Sequence, residues 1–322
     1  MVRFIFKRVI VLIPVFIGIT FLTFLIINLA PGGPEARVGF SSKISPEVKE
    51  KFKKYYGLDR PIVVRYFEWF KRFLKFNFGN SFQDGRPVMK KILERLPATV
   101  LLNALSMLLI LVLGITLGVY SALNEGKFID HFITVFVFVG FSIPVFWLGI
   151  ILIKYLGVEL NIFPVGGMKS FYWENLSFFG KIFDILWHLI LPVLVLSFVG
   201  LAGITRYMRN QFLEVLDEDY IRTARAKGLP ERIVIWRHAF RNASLPLITI
   251  LGLSLPSIIS GGVITEVIFS WPGMGRLMWQ AVMARDYPLI MADAVIAIFL
   301  TLLGNLIADI LYAYVDPRIR YG

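Results

Sequence analysis

Cysteine is absent from the 322 residues, which excludes disulfides, thiol nucleophiles and thiolate metal sites. Histidine is scarce: the three, at 131, 188 and 238, are too scattered for a histidine metal cluster. Charged residues make up 17%, against about 25% in an average soluble domain. No stretch reads Gly-x-x-x-x-Gly-Lys-Ser/Thr, so no P-loop is present to cradle nucleotide phosphates. No His-Glu-x-x-His occurs either, which removes the common helix-borne zinc protease. What fills the chain instead is apolar: 57% of residues are hydrophobic, with 29 Phe and 7 Trp, and the mean hydropathy is +0.71. That balance fits a surface covered largely by lipid.

The net charge of +12 invites a nucleic-acid reading, but the charges do not form one basic face. Of the 34 Lys and Arg, 15 lie between residues 30 and 97 and 8 between 206 and 244, in polar segments that separate apolar runs. A hydrocarbon core of about 30 Å takes roughly 20 helical residues to cross. Six stretches are long enough, near 9–29, 98–122, 132–156, 185–205, 245–268 and 289–314. The first is too long for a signal-peptide core and is read as a retained span. Pro144 interrupts the third; Pro246, Pro256 and Gly261-Gly262 interrupt the fifth. Such breaks persist in lipid only where neighbouring protein satisfies the freed backbone, which predicts a bundle.

Six spans put both termini on one side. The short segments on that side hold 14 basic residues and the opposite short loops, 157–184 and 269–288, hold 4. The basic side is cytoplasmic by the usual bias, so both termini are expected there, with the chain as a multi-pass protein of the cell membrane. The 30–97 segment would then be external. Its 15 basic residues run against the bias, but it is longer than the loops to which the rule applies. The spacing of Tyr55, Ile62, Tyr66, Trp69 and Phe73 predicts amphipathic helices near 46–56 and 61–75, forming either a cap or a docking surface.

Residues 214–230 are charged and helix-prone, and Gly228-Leu229-Pro230 stops the helix. A second helical segment, 231–241, comes next. Two short helices on a fixed corner make a rigid knob, with Ala224 and Gly228 four apart on one face where a partner surface could approach. In the 269–288 loop, Trp271-Pro272-Gly273-Met274-Gly275 is a rigid turn expected to serve docking or gating. Trp271 and Trp279 are expected at the outer membrane interface. Gly114-x-x-x-Gly118 is a helix-packing pattern. Asp309 is expected to pair within the bundle near Asn305, and Asp293 to reach the interface. The two acids are 16 residues apart on one helix, about 24 Å, too far to share a proton as an aspartyl enzyme requires.

The knob carries a resemblance. Tyr220-Ile221-Arg222-Thr223-Ala224-Arg225-Ala226-Lys227-Gly228, followed by Arg237-His238-Ala239-Phe240-Arg241-Asn242, resembles the inner-membrane permeases of ABC importers. Arg222 and Thr223 stand where the general family has Glu-Ala, a departure usual in its peptide-type branch. Pro31-Gly32-Gly33-Pro34, Leu96-Pro97-Ala98-Thr99, Ser142 to Trp147, Phe163 to Gly166, His188 to Pro192, Glu266 to Gly275 and Asp316 to Tyr321 extend the likeness in order along the chain. The resemblance implies an all-α fold with a type I permease core at 97–314, preceded by a helix and external segment (1–96) and followed by a tail (315–322). It also implies a homologous second permease, two ATPase subunits that bind the ATP, an external binding protein, a lipid bilayer around the chain, no nucleic acid, and no cofactor on this chain. Residues 220 and 222–228 would contact the ATPase. The expected cargo is a dipeptide or oligopeptide. Oligosaccharides or, further off, nickel are alternative cargoes, and an ion-driven secondary transporter is the alternative class, although the halves show no internal repeat.

Overall fold

In the computed structural model, which describes residues 2–29, 47, 50 and 59–315, helix coincides with the apolar runs. Helix α1 spans Val2–Leu29, α2 Ile62–Phe73, α3 Val88–Leu123, α4 Phe128–Ser142 and α5 Val145–Leu152, the last continuing through a π-helical turn to Glu159. Helix α6 spans Phe178–Leu216 and α7 Asp219–Ala226. Helix α8, Glu231–Ile233, passes through a second π-helical turn into α9, Phe240–Ala243. Then come α10 at Leu245–Ser260, α11 at Val263–Ile268, α12 at Met274–Ala284 and α13 at Tyr287–Val315. No strand occurs among the described residues.

Five helical runs are long and apolar enough to cross a bilayer: 5–29 in α1, α3, α6, the 250–268 run through α10 and α11, and 287–310 in α13. The expected third span is not one straight rod. Helices α4 and α5 meet at 97°, and only together do they pass the same test, giving six spans if the pair counts as one. Proline explains the bend: Pro144 has no N–H to offer, and it holds Ile143 extended at φ −79°, ψ 126°. Span five breaks where expected. Gly261 takes φ 79°, a conformation that L side chains resist. The Asn103 side-chain amide donates to the carbonyls of Ser257 (3.1 Å) and Ile258 (3.0 Å), which lie at the broken helix end.

Helices α3 and α6 press backbone against backbone. A Cβ on Gly114 would lie 2.7 Å from Ile204 Cγ2, and one on Gly118 2.7 Å from Met208 Cβ. The small-residue pattern thus holds these helices together, as its sequence predicts. Helix α6 exceeds expectation: at 39 residues it is about 58 Å long. Residues 206–216 are therefore helix, and the connecting segment begins only at Asp217.

Of the two amphipathic helices predicted in 30–97, that at 61–75 appears as α2; the one near 46–56 lies almost wholly outside the described residues. Helix α2 turns Tyr66, Trp69, Phe70 and Phe73 onto Phe16, Phe21 and Phe24 of α1 and Met291 and Val295 of α13. The buried Tyr66 hydroxyl meets Thr20 Oγ1 at 2.9 Å, which satisfies both groups. Beyond it, fully buried Asp286 accepts hydrogen bonds from Phe82 N (2.9 Å) and Ser81 Oγ, fixing the approach to α3. Lys91 reaches Ser81 Oγ and Asp84, each at 3.0 Å. Desolvation opposes the Asp84 charge, but hydrogen bonds from Lys91, Arg86 N and Ser81 outweigh it and hold the carboxyl below its ordinary pKa.

Candidate functional site

The knob forms as two helices on a locked corner. Helix α7 closes in a Schellman motif: Gly228 N–H donates to Arg225 O at 2.9 Å and Leu229 N–H to Ala224 O at 3.4 Å. Gly228 sits at φ 75° with open space around its Cα. Pro230 then opens the next helix. Arg225 Nη2 pairs with Glu231 at 2.8 Å across the corner, and Asn242 donates to the Tyr220 hydroxyl at 2.8 Å. The hydrogen bond to Glu231 raises the Arg225 pKa above its ordinary value.

The underside of the knob is apolar. Ile221 and Ala224 of α7, with Val234, Ala239 and Ala243, pack on Val119 and Ala122 of α3 and Met208 and Phe212 of α6. This overturns one expectation: Ala224 is 6% exposed and turns inward, so it does not share an outward face with Gly228. Its small side chain admits the knob's own bundle rather than a partner. The outward surface is Tyr220, Arg222, Thr223, Arg225, Ala226, Lys227 and Gly228, all exposed. It is a rigid surface fixed to α3 and α6, with Arg222 set beside Asp219 and Arg225 beside Glu231.

The turn at 271–275 is a second built site, and here Trp271 corrects the sequence reading. It is fully buried, donating from Nε1 to Ala98 O at 2.9 Å, because an indole N–H removed from water takes a carbonyl partner where one is near. Trp279 is 46% exposed. At the centre of the turn is Glu266, also fully buried. Its carboxylate accepts from Thr99 Oγ1 at 2.8 Å and from Arg276 N at 2.9 Å, while Thr99 Oγ1 accepts from Met274 N at 2.7 Å. Glu266 and Thr99 therefore cap the first turn of α12 from elsewhere in the chain. The glycines make room for this acid: a Cβ on Gly273 would lie 2.4 Å from Glu266 Cδ, and one on Gly275 2.8 Å from the Val263 backbone. Pro272 links Trp271 to this crowded pair. Sequence reasoning noted the motifs holding Thr99 and Glu266 but not the bond between them, which no local pattern signals.

Asp309 does not find its partner at Asn305, which is exposed on α13. It pairs with Arg8 Nη1 of α1 at 3.3 Å, tying the first and last helices. Asp293 is partly buried near the start of α13. Among the described residues no group of three or more His, Asp or Glu could hold a metal ion.

Two family models match nearly all of the chain. Residues 114–321 match the binding-protein-dependent transport system inner membrane component, and 1–103 match the N-terminal part of such membrane components. Over 322 residues, all of both chains, the sequence is 47% identical to the oligopeptide transport system permease protein AppB of Bacillus subtilis. Over 337 aligned residues it is 37% identical to the dipeptide transport system permease protein DppB of Escherichia coli K12, covering 100% of this chain and 99% of that one. A di/tripeptide transport system permease protein of Pseudomonas aeruginosa is 37% identical over 334 residues, with the same coverage.

Proposed function

Because the chain belongs to the family of binding-protein-dependent transport system inner membrane components, we propose that it conducts dipeptides or short oligopeptides across the cell membrane. It is the multi-pass permease subunit of an ABC importer and not an enzyme; ATPase and substrate-binding subunits are its partners. In our reading the complex holds a second, homologous permease and two ATPases, which bind the ATP, so this chain needs no cofactor. Residues 97–314 form the permease core, with the N-terminal helix and outer segment before it and the tail after it. The exposed face of α7, Tyr220 with residues 222–223 and 225–228, docks on an ATPase. The outer turn, Trp271, Pro272, Gly273 and Gly275, holds the outer ends of α3 and α12 together and so shapes the outer mouth. Asp309 serves the bundle through its pair with Arg8, and Asn305 is an exposed polar group on the same helix.

The observation that carries the cargo is end-to-end identity with a peptide permease, at 47%. The test is reconstitution with the partner subunits in vesicles. Labelled di- and tripeptides are expected to accumulate only with ATP inside and loaded binding protein outside. Accumulation of a labelled oligosaccharide but no peptide would overturn the cargo, and uptake driven by an ion gradient without ATP would overturn the importer.

We also read both termini and α7 as cytoplasmic and 59–87 as external, on the basic-residue bias. The absence of native cysteine makes this simple to check. A single cysteine at exposed Gln83 is expected to react with an impermeant thiol reagent in intact cells, and one at exposed Lys227 only after lysis. The opposite pattern would invert the topology.

A further inference from the structure

One ion pair, its acid buried and its arginine half-buried, ties three helices together at the knob. Asp130, in the first turn of α4, is 3% exposed. Arg209 of α6 meets it fork to fork, Nε to Oδ1 and Nη2 to Oδ2, both at 2.7 Å. Ser121 of α3 donates to Oδ1 at 2.5 Å, and Gly126 N–H, in the α3–α4 turn, to Oδ2 at 3.0 Å. Each carboxylate oxygen thus accepts two hydrogen bonds, which is what a buried charge requires. Glu125 adds a longer contact to Arg209 Nη2, at 3.9 Å.

Where this pair sits matters more than its strength. Ser121 adjoins Ala122, and Arg209 adjoins Met208; Ala122 and Met208 both form the apolar seat under α7. The buried seat includes no residue of α4. Further along, α4 meets α6 through Val137 against Leu201 and Ala202. Phe136 and Gly140 pack on Phe198 there as well, so this contact is apolar throughout and carries no directional bond. The fork is directional and fixes register, the best attested use of buried ion pairs.

We propose that Asp130 and Arg209 are positioning residues for the transport cycle. Their pair makes α4, and α5 beyond the Pro144 bend, move as one body with the seat of α7. The inference rests on the reading of this chain as an ATP-driven permease. Without the pair, a push on α7 moves α3 and α6 while α4 lags.

The test uses the full reconstituted complex. Asp130→Asn combined with Arg209→Gln removes both charges and leaves no buried charge unpaired. This double variant is expected to assemble, to keep the basal ATPase rate, and to lose roughly tenfold in peptide transported per ATP, equal to about 1.4 kcal/mol of coupling. Arg209→Lys keeps the charge but not the fork, and is expected to fall between. Spin labels on cysteines at exposed Phe128 of α4 and exposed Asn210 of α6 are expected to give a narrow distance distribution in the native complex and a broad one in the double variant. Native transport per ATP with a narrow distribution in the double variant would overturn the proposal. So would parallel loss of assembly and basal ATPase in every variant, Arg209→Lys included, since that marks a purely structural pair. Absence of ATP-driven uptake in the native complex would overturn the importer reading and this inference with it.

Discussion

Valine in place of Gly273 is expected to prevent the chain from accumulating as a folded membrane protein. The Cβ alone would stand 2.4 Å from the Glu266 carboxyl carbon, and that carboxyl is walled in by Thr99, Gly261 and Gly275. Overpacking of this kind costs about 1–3 kcal/mol. Displacing the acid also strips its hydrogen bonds with Thr99 and Arg276 N, and buried polar groups left unsatisfied add about 1–3 kcal/mol each. Together these reach the lower end of a typical stability of about 5–15 kcal/mol. Gly275→Val meets the Val263 backbone, which cannot rotate aside, and should act alike. Glu266→Gln keeps the shape and should be milder. Size-exclusion profiles of detergent extracts measure all three; a native peak from Gly273→Val would show that the turn absorbs the clash. Loss of uptake in these variants is therefore no measure of gating, because folding fails first.

Gly228→Asp and Ala224→Glu, two changes on one short helix, are expected to fail in different ways. Gly228 is surrounded by open space, so aspartate there pays only the left-handed backbone cost of about 1 kcal/mol. The protein should fold and insert. It should then lose most of its uptake, and the ATPase most of its stimulation by loaded binding protein, because bulk and negative charge land on the exposed face of α7. Ala224→Glu instead drives a carboxylate into the seat formed by Val119, Met208 and Phe212, at a cost of several kcal/mol. That variant should lose assembled complex. Pull-down of the ATPase, scored beside total folded permease, separates the two effects. Equal ATPase binding by Gly228→Asp and the native chain would remove α7 as the docking element.

The spans were readable in the sequence because bilayer thickness dictates their length, and Pro144 and Gly261 announce their own breaks. The Gly228 corner was readable because its chemistry is local. What stayed hidden depends on partners far along the chain. Trp271 looked like an interface anchor because nothing nearby reveals that Ala98, 173 residues away, offers its carbonyl. Ala224 looked outward because an eight-residue helix carries too few apolar positions to declare which face is buried. Arg209 was counted among loop charges because α6 was expected to stop near 205; the helix runs on, and the arginine turns into the bundle.

The extra length of α6 has an electrostatic consequence. Residues 206–216 carry the helix about 16 Å past the end of its expected span. Helix α7 turns back against Met208 and Phe212 of that extension, and acids meet two of the three cations, Arg222, Arg225 and Lys227, there: Asp219 stands 3.7 Å from Arg222, and Glu231 2.8 Å from Arg225. Opposite charges so close largely cancel at a distance. The surface held out by α6 therefore speaks to an approaching protein through the shape and hydrogen bonds of these pairs more than through net charge.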